Sequence, residues 1–260
     1  MSLIKTFLPV SEYHLDLVQT PVQEINGIFL KRDDLCEPAP GARGGKARTI
    51  YALAKQRRQI ITAGGRGSRQ IKIAALIGKH LEIPVRVHVP DGTDTPEMIA
   101  AQEAGATLIK HRPGYTTVVT YRAHQDAVTQ SSETETAEVP YACICHEHIR
   151  QTAAQVAALI PYADRIKRIV VPVGSGMTIS AVMNGLRTYK LNIPIAGITC
   201  GASPEKQIGR FAPDWVELFS SGIDYHDEVH ARIGDIDLDP IYEGKCVRFL
   251  QPGDLLWIVG

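Results

Sequence analysis

The sequence predicts an α/β protein built on parallel sheets. Between Ile60 and Lys110, short apolar runs alternate with amphipathic segments in the order β-α-β-α-β, the pattern of strands joined by helical crossovers. Two runs, Ile60–Ala63 and Arg168–Val173, lead straight into glycine-rich turns that open helices. At 260 residues, the chain has enough length for one large or two modest domains.

The elements follow in order. Ile25–Leu30, after Pro21, is a short apolar strand, and Lys31-Arg32-Asp33-Asp34 is a compact mixed-charge run at its end. Pro38, Pro40 and Gly41 break regular structure. Ala42–Arg48 then reads Ala-Arg-Gly-Gly-Lys-Ala-Arg. Arg48–Gln59 is helical, with Ile50, Leu53 and Ala54 on one face. Ile60–Ala63 is a buried-type strand, Gly64–Ser68 a glycine loop and Arg69–Leu81 a helix. Val85–Val89 is a strand, Thr95–Ala104 a helix closed by Gly105, and Thr107–Lys110 a strand. Ala123–Val139, rich in Ser, Thr and Glu and poorly periodic, reads as a helix followed by a mobile surface loop. A short strand around Cys143 then runs into a helix over His148–Leu159. Arg168–Val173 is the clearest strand of the chain. It enters Gly174-Ser175-Gly176-Met177-Thr178 and a helix, Ile179–Tyr189. Ile195–Thr199 and Leu255–Val259 are further strands, and the stretch after Gly201 is less regular.

Formal charge is zero, which argues against a general nucleic-acid binder. No apolar run approaches the roughly 20 residues that cross a bilayer. Met1–Pro9 lacks a signal-peptide layout, because Lys5 interrupts its short apolar stretch. The expectation is a soluble, cytoplasmic protein. Five scattered cysteines do not form a disulfide framework, and reduced thiols are the simpler account.

Three stretches bear chemistry. In Gly44-Gly45-Lys46 the glycines let backbone approach a bulky planar ligand. A desolvated lysine there can lose its proton and form a Schiff base with a carbonyl; read alone, the same turn is also an ordinary solvated loop. Gly64–Ser68, between strand and helix, presents free N–H groups to an anion. Ser68 stands where its hydroxyl either caps the helix or touches a ligand, and Arg66, Arg69 and Lys72 make this helix start cationic. Gly174–Thr178 combines glycines, two hydroxyls and a helix start into a phosphate cup. No Gly-Lys-Ser/Thr follows, so it is not a Walker loop, and Ile179 stands where a dinucleotide fingerprint needs its third glycine. A phosphate-bearing cofactor other than a nucleoside triphosphate or NAD fits best. Cys143-Ile-Cys145-His146-Glu147-His148 has spacing unlike a structural zinc site. No metal is expected, and Cys145 or His146 is read as facing a cleft. Tyr225 and His226 lie in a polar stretch, and Asp239-Pro-Ile-Tyr242-Glu243-Gly244-Lys245 is a turn-rich segment placing a tyrosine beside a carboxylate.

An amine, a phosphate cup and a late Tyr-Glu pair are the parts that pyridoxal 5'-phosphate requires. Here the sequence resembles the fold type II, tryptophan synthase β-like pyridoxal-phosphate enzymes, in particular the D-cysteine desulfhydrase and aminocyclopropane-carboxylate deaminase branch. Leu30–Leu35 is similar to the branch's Lys-Arg-Asp-Asp-Leu opening. Gly44–Arg48 resembles Gly-Gly-Asn-Lys-x-Arg, Thr62–Gln70 the loop around Ser-Asn-His, Val173–Thr178 the phosphate loop, and Asp239–Lys245 the Asp-Pro-Val-Tyr-x-Gly-Lys segment. The chain departs from the branch at Gly45, at Arg69-Gln70 and at Met177, and it is shorter around Tyr225 and after Lys245.

The resemblance implies an α/β fold of two three-layer parallel-sheet domains, with residues 1–55 and 148–260 forming the large cofactor-binding domain and 56–147 a small inserted one. It implies Lys46, Tyr242 and Ser68 as catalytic residues. Lys46, Gly174, Ser175, Gly176, Met177, Thr178 and Glu243 are the cofactor contacts, with Glu243 at the pyridine nitrogen. Ser68, Arg69, Gln70, Arg66, Tyr225 and His146 are the candidate substrate contacts. A homodimer is also implied. The activity implied is a lyase of the deaminase or desulfhydrase kind at the α-carbon of an amino acid or amine. The short, open site beside Arg66 and Arg69 supports an alternative: an isomerase or decarboxylase of an amino acid carried on a thymidine nucleotide or DNA in bacteriophage DNA hypermodification, acting in the host cytoplasm. A non-catalytic pyridoxal-phosphate binder and a plain phosphate-ligand binder complete the set.

Overall fold

The computed structural model describes residues 19–130, 135–200 and 216–260; the readings of Met1–Pro9 and of the stretch just after Gly201 lie outside them. The chain divides into two compact units, residues 1–35 with 148–260, and Cys36–Glu147.

The first unit is organised on a six-stranded sheet. Its strands are β1 (Val22–Ile25), β2 (Ile28–Arg32), β7 (Arg168–Val173), β8 (Ile195–Thr199), β9 (Val216–Ser220) and β12 (Asp254–Ile258), in the order β1-β2-β12-β7-β8-β9. All neighbours are parallel except β1 and β2. The single strand expected over Ile25–Leu30 is thus a hairpin, because Asn26 and Gly27 both take positive φ, the requirement of a two-residue turn. Side chains alternate across the sheet. Phe29, Ile169, Val171, Leu255 and Trp257 pack with Val182 and Leu186 of α6 (Met177–Thr188). Leu30, Val170, Leu256 and Ile258 form the opposite core with Cys246 and Leu238. A small hairpin, β10 (Arg232–Ile233) and β11 (Ile236–Asp237), precedes the short helix α7 (Glu243–Cys246).

The charge run after β2 is interior rather than solvated. Lys31 is fully buried and its Nζ lies 3.0 Å from Asp33 Oδ1. It also donates to the carbonyl of Thr20 at 2.9 Å and to Gln155 Oε1 at 3.2 Å. Asp33 accepts from Thr20 Oγ1 at 2.6 Å and from Trp257 Nε1 at 3.2 Å. A buried charge survives only when paired and hydrogen-bonded, and these bonds join β2, β12 and the segment after α5 (His146–Ala154).

The second unit carries four parallel strands, β3 (Gln59–Ala63), β4 (Val85–Pro90), β5 (Thr107–His111) and β6 (Thr136–Val139), in the order β5-β4-β3-β6. Residues 36–55, expected in the larger domain, pack here. Ala47, Ile50 and Ala54 of α1 (Gly45–Ala54) share one core with Ile60, Val87 and with Ile71 and Ala74 of α2 (Arg69–Leu81). Met98 of α3 (Pro96–Glu103) belongs to it too. The Ser/Thr-rich stretch begins as the expected helix, the end of α4 (Thr116–Gln130), but in place of the expected loop it holds β6, whose Ala137 and Val139 are buried. The strand expected around Cys143 is a tight 3-10 turn, Tyr141–Cys143, in which Ala142 and Cys143 have φ of 55° and 53°. An extended strand cannot form in that left-handed region.

Helix α4 meets the sheet through small side chains, Val119, Ala123 and Ala127 against Ile61 and Ala63, and through a polar chain. Arg122 donates to His111 Nδ1 at 2.9 Å. That leaves His111 Nε2–H to donate to His88 Nδ1 at 2.8 Å, and His88 Nε2–H to donate to Asp126 at 2.9 Å. Arg86 closes the chain on Asp126 at 2.8 Å. Every link is satisfied with both imidazoles neutral. Burial lowers the pKa of His88 against its hydrogen bond to Asp126; burial, then the charges of His88 and Arg122, lowers that of His111.

Two predictions follow from these polar clusters. Asp33→Ala strands the Lys31 ammonium and is expected to destabilise the first unit by about 3–5 kcal/mol, read as a lower midpoint of urea unfolding followed by tryptophan fluorescence. The imidazoles bind protons less readily folded than unfolded. The stability they contribute is therefore complete above the ordinary imidazole value of about 6.5 and is lost as pH falls below it. Amide exchange along α4, corrected for intrinsic rates, is expected to accelerate below that pH, and His88→Gln should flatten the response.

Candidate active site

In the second unit, Lys46 is the second residue of α1 and is partly exposed. Gly44 precedes the helix with φ +92° and ψ −180°, a conformation essentially reserved for glycine. Its N–H donates to the carbonyl of Cys36 at 2.9 Å, so the turn presenting Lys46 is fixed by backbone. Cys143 is buried, and burial pushes its thiol up to about 12 while the charge of Lys46 pulls the other way. Cys143 is therefore a neutral thiol in the electrostatic reach of Lys46. Among the described residues no group of three or more His, Cys, Asp or Glu is arranged to hold a metal ion.

Ser68 stands at the N-cap of α2, in extended conformation, and its side chain makes no capping bond. Its hydroxyl is thus left for another partner. Arg69 and Arg66 are exposed at the same helix start, and Arg66 donates to the carbonyl of Thr93 at 3.1 Å. Gln70 differs from its expectation as a substrate contact. It is buried, its Nε2 donates to Thr62 Oγ1 at 3.0 Å and to the carbonyl of Pro140 at 2.9 Å, and its Oε1 accepts from Cys143 Sγ at 3.7 Å. Its polar atoms hold the Tyr141–Cys143 turn onto β3. His146 is exposed at the first position of α5.

In the first unit, β7 delivers its C-terminus into Gly174–Thr178. Gly176 takes φ +80° as N-cap of α6, and its carbonyl accepts from Ser180 Oγ at 2.7 Å. Ser175 and Thr178 remain partly exposed, while Met177 is buried. The opening N–H groups of α6 have no intrahelical acceptors. The ring of Tyr242 lies against this turn: a Cβ on Gly174 would sit 3.0 Å from Tyr242 Cε1.

The segment that carries Tyr242 is explained residue by residue. Asp239 Oδ1 accepts from the N–H groups of Ile241 at 2.8 Å and Tyr242 at 2.9 Å, so the aspartate shapes the turn. Gly244 has the carbonyl of Val229 where a Cβ would be, 1.9 Å away. Glu243 is fully buried and its Oε1 accepts from the N–H of Val259 at 2.6 Å, which ties α7 to the residue following β12. Tyr225 and Tyr242 meet hydroxyl to hydroxyl at 3.0 Å, their rings edge to face at 72°. Burial, and then the Tyr225 hydrogen bond, raises the Tyr242 phenol well above its ordinary value. Tyr242 is accordingly a protonated donor at any physiological pH.

Sequence reasoning missed the buried roles of Gln70 and Lys245. Both are long polar side chains in polar surroundings, and nothing in their spacing marks them as interior.

Known proteins share the fold. A family model described as pyridoxal-phosphate dependent enzyme matches residues 14–229. A glycyl-dTMP PLP-dependent decarboxylase of Pseudomonas phage M6 is 24% identical over 256 residues, covering 89% of this chain and 91% of the relative. Among solved structures, an ACC deaminase homologue superposes with a TM-score of 0.77 at 19% identity, over 95% of this chain and 90% of that one. Maize serine racemase superposes with 0.66 at 14% identity, over 94% and 88%. The two-sheet α/β fold is that of these enzymes. With a lysine in a glycine turn and a glycine-serine cup at a helix start, the chain belongs to the pyridoxal-phosphate dependent enzyme family, and its cofactor is pyridoxal 5'-phosphate.

Proposed function

We propose that the protein is a pyridoxal-phosphate lyase acting at the α-carbon of an amino acid, with Lys46 as the amine that receives the cofactor's aldehyde. The observation that carries this reading is the seating of Tyr242 on the cup, with its ring in the space that a side chain at Gly174 would need. Residues 174–178 fit the cofactor's phosphate: a positive-φ glycine at a helix N-cap, two partly exposed hydroxyls and opening helix N–H groups without intrahelical acceptors. When bound, the cofactor supplies an aldehyde for an amine and a ring that withdraws electrons from bonds at the amine's α-carbon.

The chain's own residues divide the proton traffic. Tyr242, held protonated by burial and by Tyr225, donates a proton or a hydrogen bond. Lys46 would accept one at the substrate's α-carbon. Ser68, which makes no capping bond, offers a hydroxyl to the substrate carboxylate, with Arg66 and Arg69 close in sequence. Glu243 is kept as the partner of the pyridine nitrogen on the resemblance alone, since it is fully buried and its Oε1 already accepts from the N–H of Val259.

A second reading concerns the substrate. The phage M6 relative is named for glycyl-dTMP and matches nearly its whole length here. Exposed Arg66 and Arg69 suit a phosphate better than an uncharged side chain. On this reading the substrate is an amino acid carried on a thymidine nucleotide and the bond broken releases CO2. A free-amino-acid deaminase or desulfhydrase is the competing outcome. Homodimerisation and a cytoplasmic location belong to the same proposal.

The purified protein is expected to show a visible absorption band that borohydride removes and that Lys46→Ala lacks; a protein that stays colourless after incubation with pyridoxal phosphate refutes the reading. Incubation with D- and L-amino acids and with glycyl-dTMP, following ammonia, sulfide and CO2, separates the substrates. CO2 from the nucleotide alone supports the second reading, and ammonia or sulfide from a free amino acid overturns it. Gly174→Ala puts a methyl carbon 3.0 Å from Tyr242 Cε1, so that the ring must shift off the cup, and is expected to weaken cofactor retention, measured by equilibrium dialysis.

A further inference from the structure

Lys245 lies three residues beyond Tyr242 and is fully buried, with 1% of its surface exposed. Among the described residues, its ammonium has no carboxylate within ion-pair distance. Its bonds go instead to three backbone carbonyls: Asp224 at 2.7 Å, Tyr225 at 3.1 Å and Cys200 at 3.3 Å. An ammonium has three N–H donors and needs no acceptor, so three convergent carbonyls saturate it. Nζ also lies 5.9 Å from the centroid of the Tyr225 ring, within cation–π range. Its position is fixed from the other side, because Lys245 N–H donates to the carbonyl of Tyr242 at 3.2 Å.

Two carbonyls belong to the loop that carries Tyr225, and the third, of Cys200, directly follows β8. Lys245 therefore grips the backbone and the ring of Tyr225 from the same helical turn that presents Tyr242. The two hydroxyls stand 3.0 Å apart, although Tyr225 is itself 41% exposed. Asp224, Tyr225, His226, Asp239, Glu243 and the thiols of Cys200 and Cys246 are the other titratable groups of this neighbourhood. None of them supplies three donors to these carbonyls.

We infer that Lys245 is a positioning residue for the reaction: it sets the Tyr225 hydroxyl on the Tyr242 hydroxyl and so fixes the hydrogen bond made by the proton donor. The inference rests on the reading of Tyr242 as an active-site residue. A stabilising role alone predicts that replacing Lys245 lowers stability and leaves the Tyr225–Tyr242 bond in place. Positioning predicts that the variant behaves like loss of Tyr225 itself.

The test compares Lys245→Met, Tyr225→Phe and the double variant in protein labelled with 13Cζ-tyrosine. The Tyr242 ring signal, assigned with Tyr242→Phe, reports its hydroxyl bond with or without cofactor. Lys245→Met is expected to move that signal to the position it takes in Tyr225→Phe, and the double variant to move it no further. In the loaded enzyme, on whichever substrate turns over, both single variants are expected to lower kcat by roughly 10²-fold, with non-additive effects in the double variant and KM unchanged. A Tyr242 signal left at its wild-type position in folded Lys245→Met, or additive losses in kcat, overturns the inference. Should Lys245→Met fail to fold, Lys245→Gln, which keeps two donors, answers by the same signal. A missing visible band would count against the cofactor assignment, whereas the ring signal tests the positioning independently.

Discussion

Parallel hydrogen bonding of β2, β12, β7, β8 and β9 is the constraint on which the first unit depends. Strands that run the same way all end at one edge. That edge gathers the turn at Gly174 from β7, Cys200 from β8, the loop of Asp224 and Tyr225 beyond β9, and Val259 from β12. Residues far apart in sequence then become partners: Tyr242 against Gly174, Lys245 on the carbonyl of Cys200, Glu243 on the N–H of Val259. In open parallel sheets, ligands bind outside these strand ends, so the geometry that orders the sheet also assembles the cup and the tyrosine.

Interior charge recurs in this unit, and each instance is handled by local donors and acceptors. Lys31 is neutralised by Asp33 and saturated by Thr20 and Gln155. Lys245 is saturated by carbonyls. The first arrangement ties β2 to β12 through Asp33 and Trp257, and so supports the sheet. The second fixes a loop whose function is exact placement of a hydroxyl. Removing either ammonium leaves buried acceptors unmade, which costs more than the bonds themselves contribute.

The second unit shows a division between the groups that build the turn and those left for a ligand. Gln70 and Thr62 hold the Tyr141–Cys143 turn onto β3, and Gly44 fixes the entry to α1. Lys46 and Ser68, partly exposed at the starts of two neighbouring helices, keep their polar ends out of these networks. Helix α4, in contrast, relies on alanine-sized contacts and the Arg122–His111–His88–Asp126 chain, which makes its attachment dependent on pH.

By itself, the sequence determined the α/β class, the strands Arg168–Val173 and Ile195–Thr199, the helix Arg69–Leu81, the two glycine turns and the segment with Tyr242. These are local signals: apolar periodicity, strand-to-glycine-to-helix order and a turn shaped by Asp239. Only the tertiary structure decided which polar residues are interior. Lys31, Gln70 and Lys245 look like surface residues because burial of a charge or an amide depends on acceptors supplied by distant segments. It also decided that β6 is a strand and that Cys143 sits in a left-handed turn. A polar Ser/Thr-rich stretch becomes a strand when β3 offers it a free edge, and a backbone takes positive φ when surrounding bonds outweigh the strain.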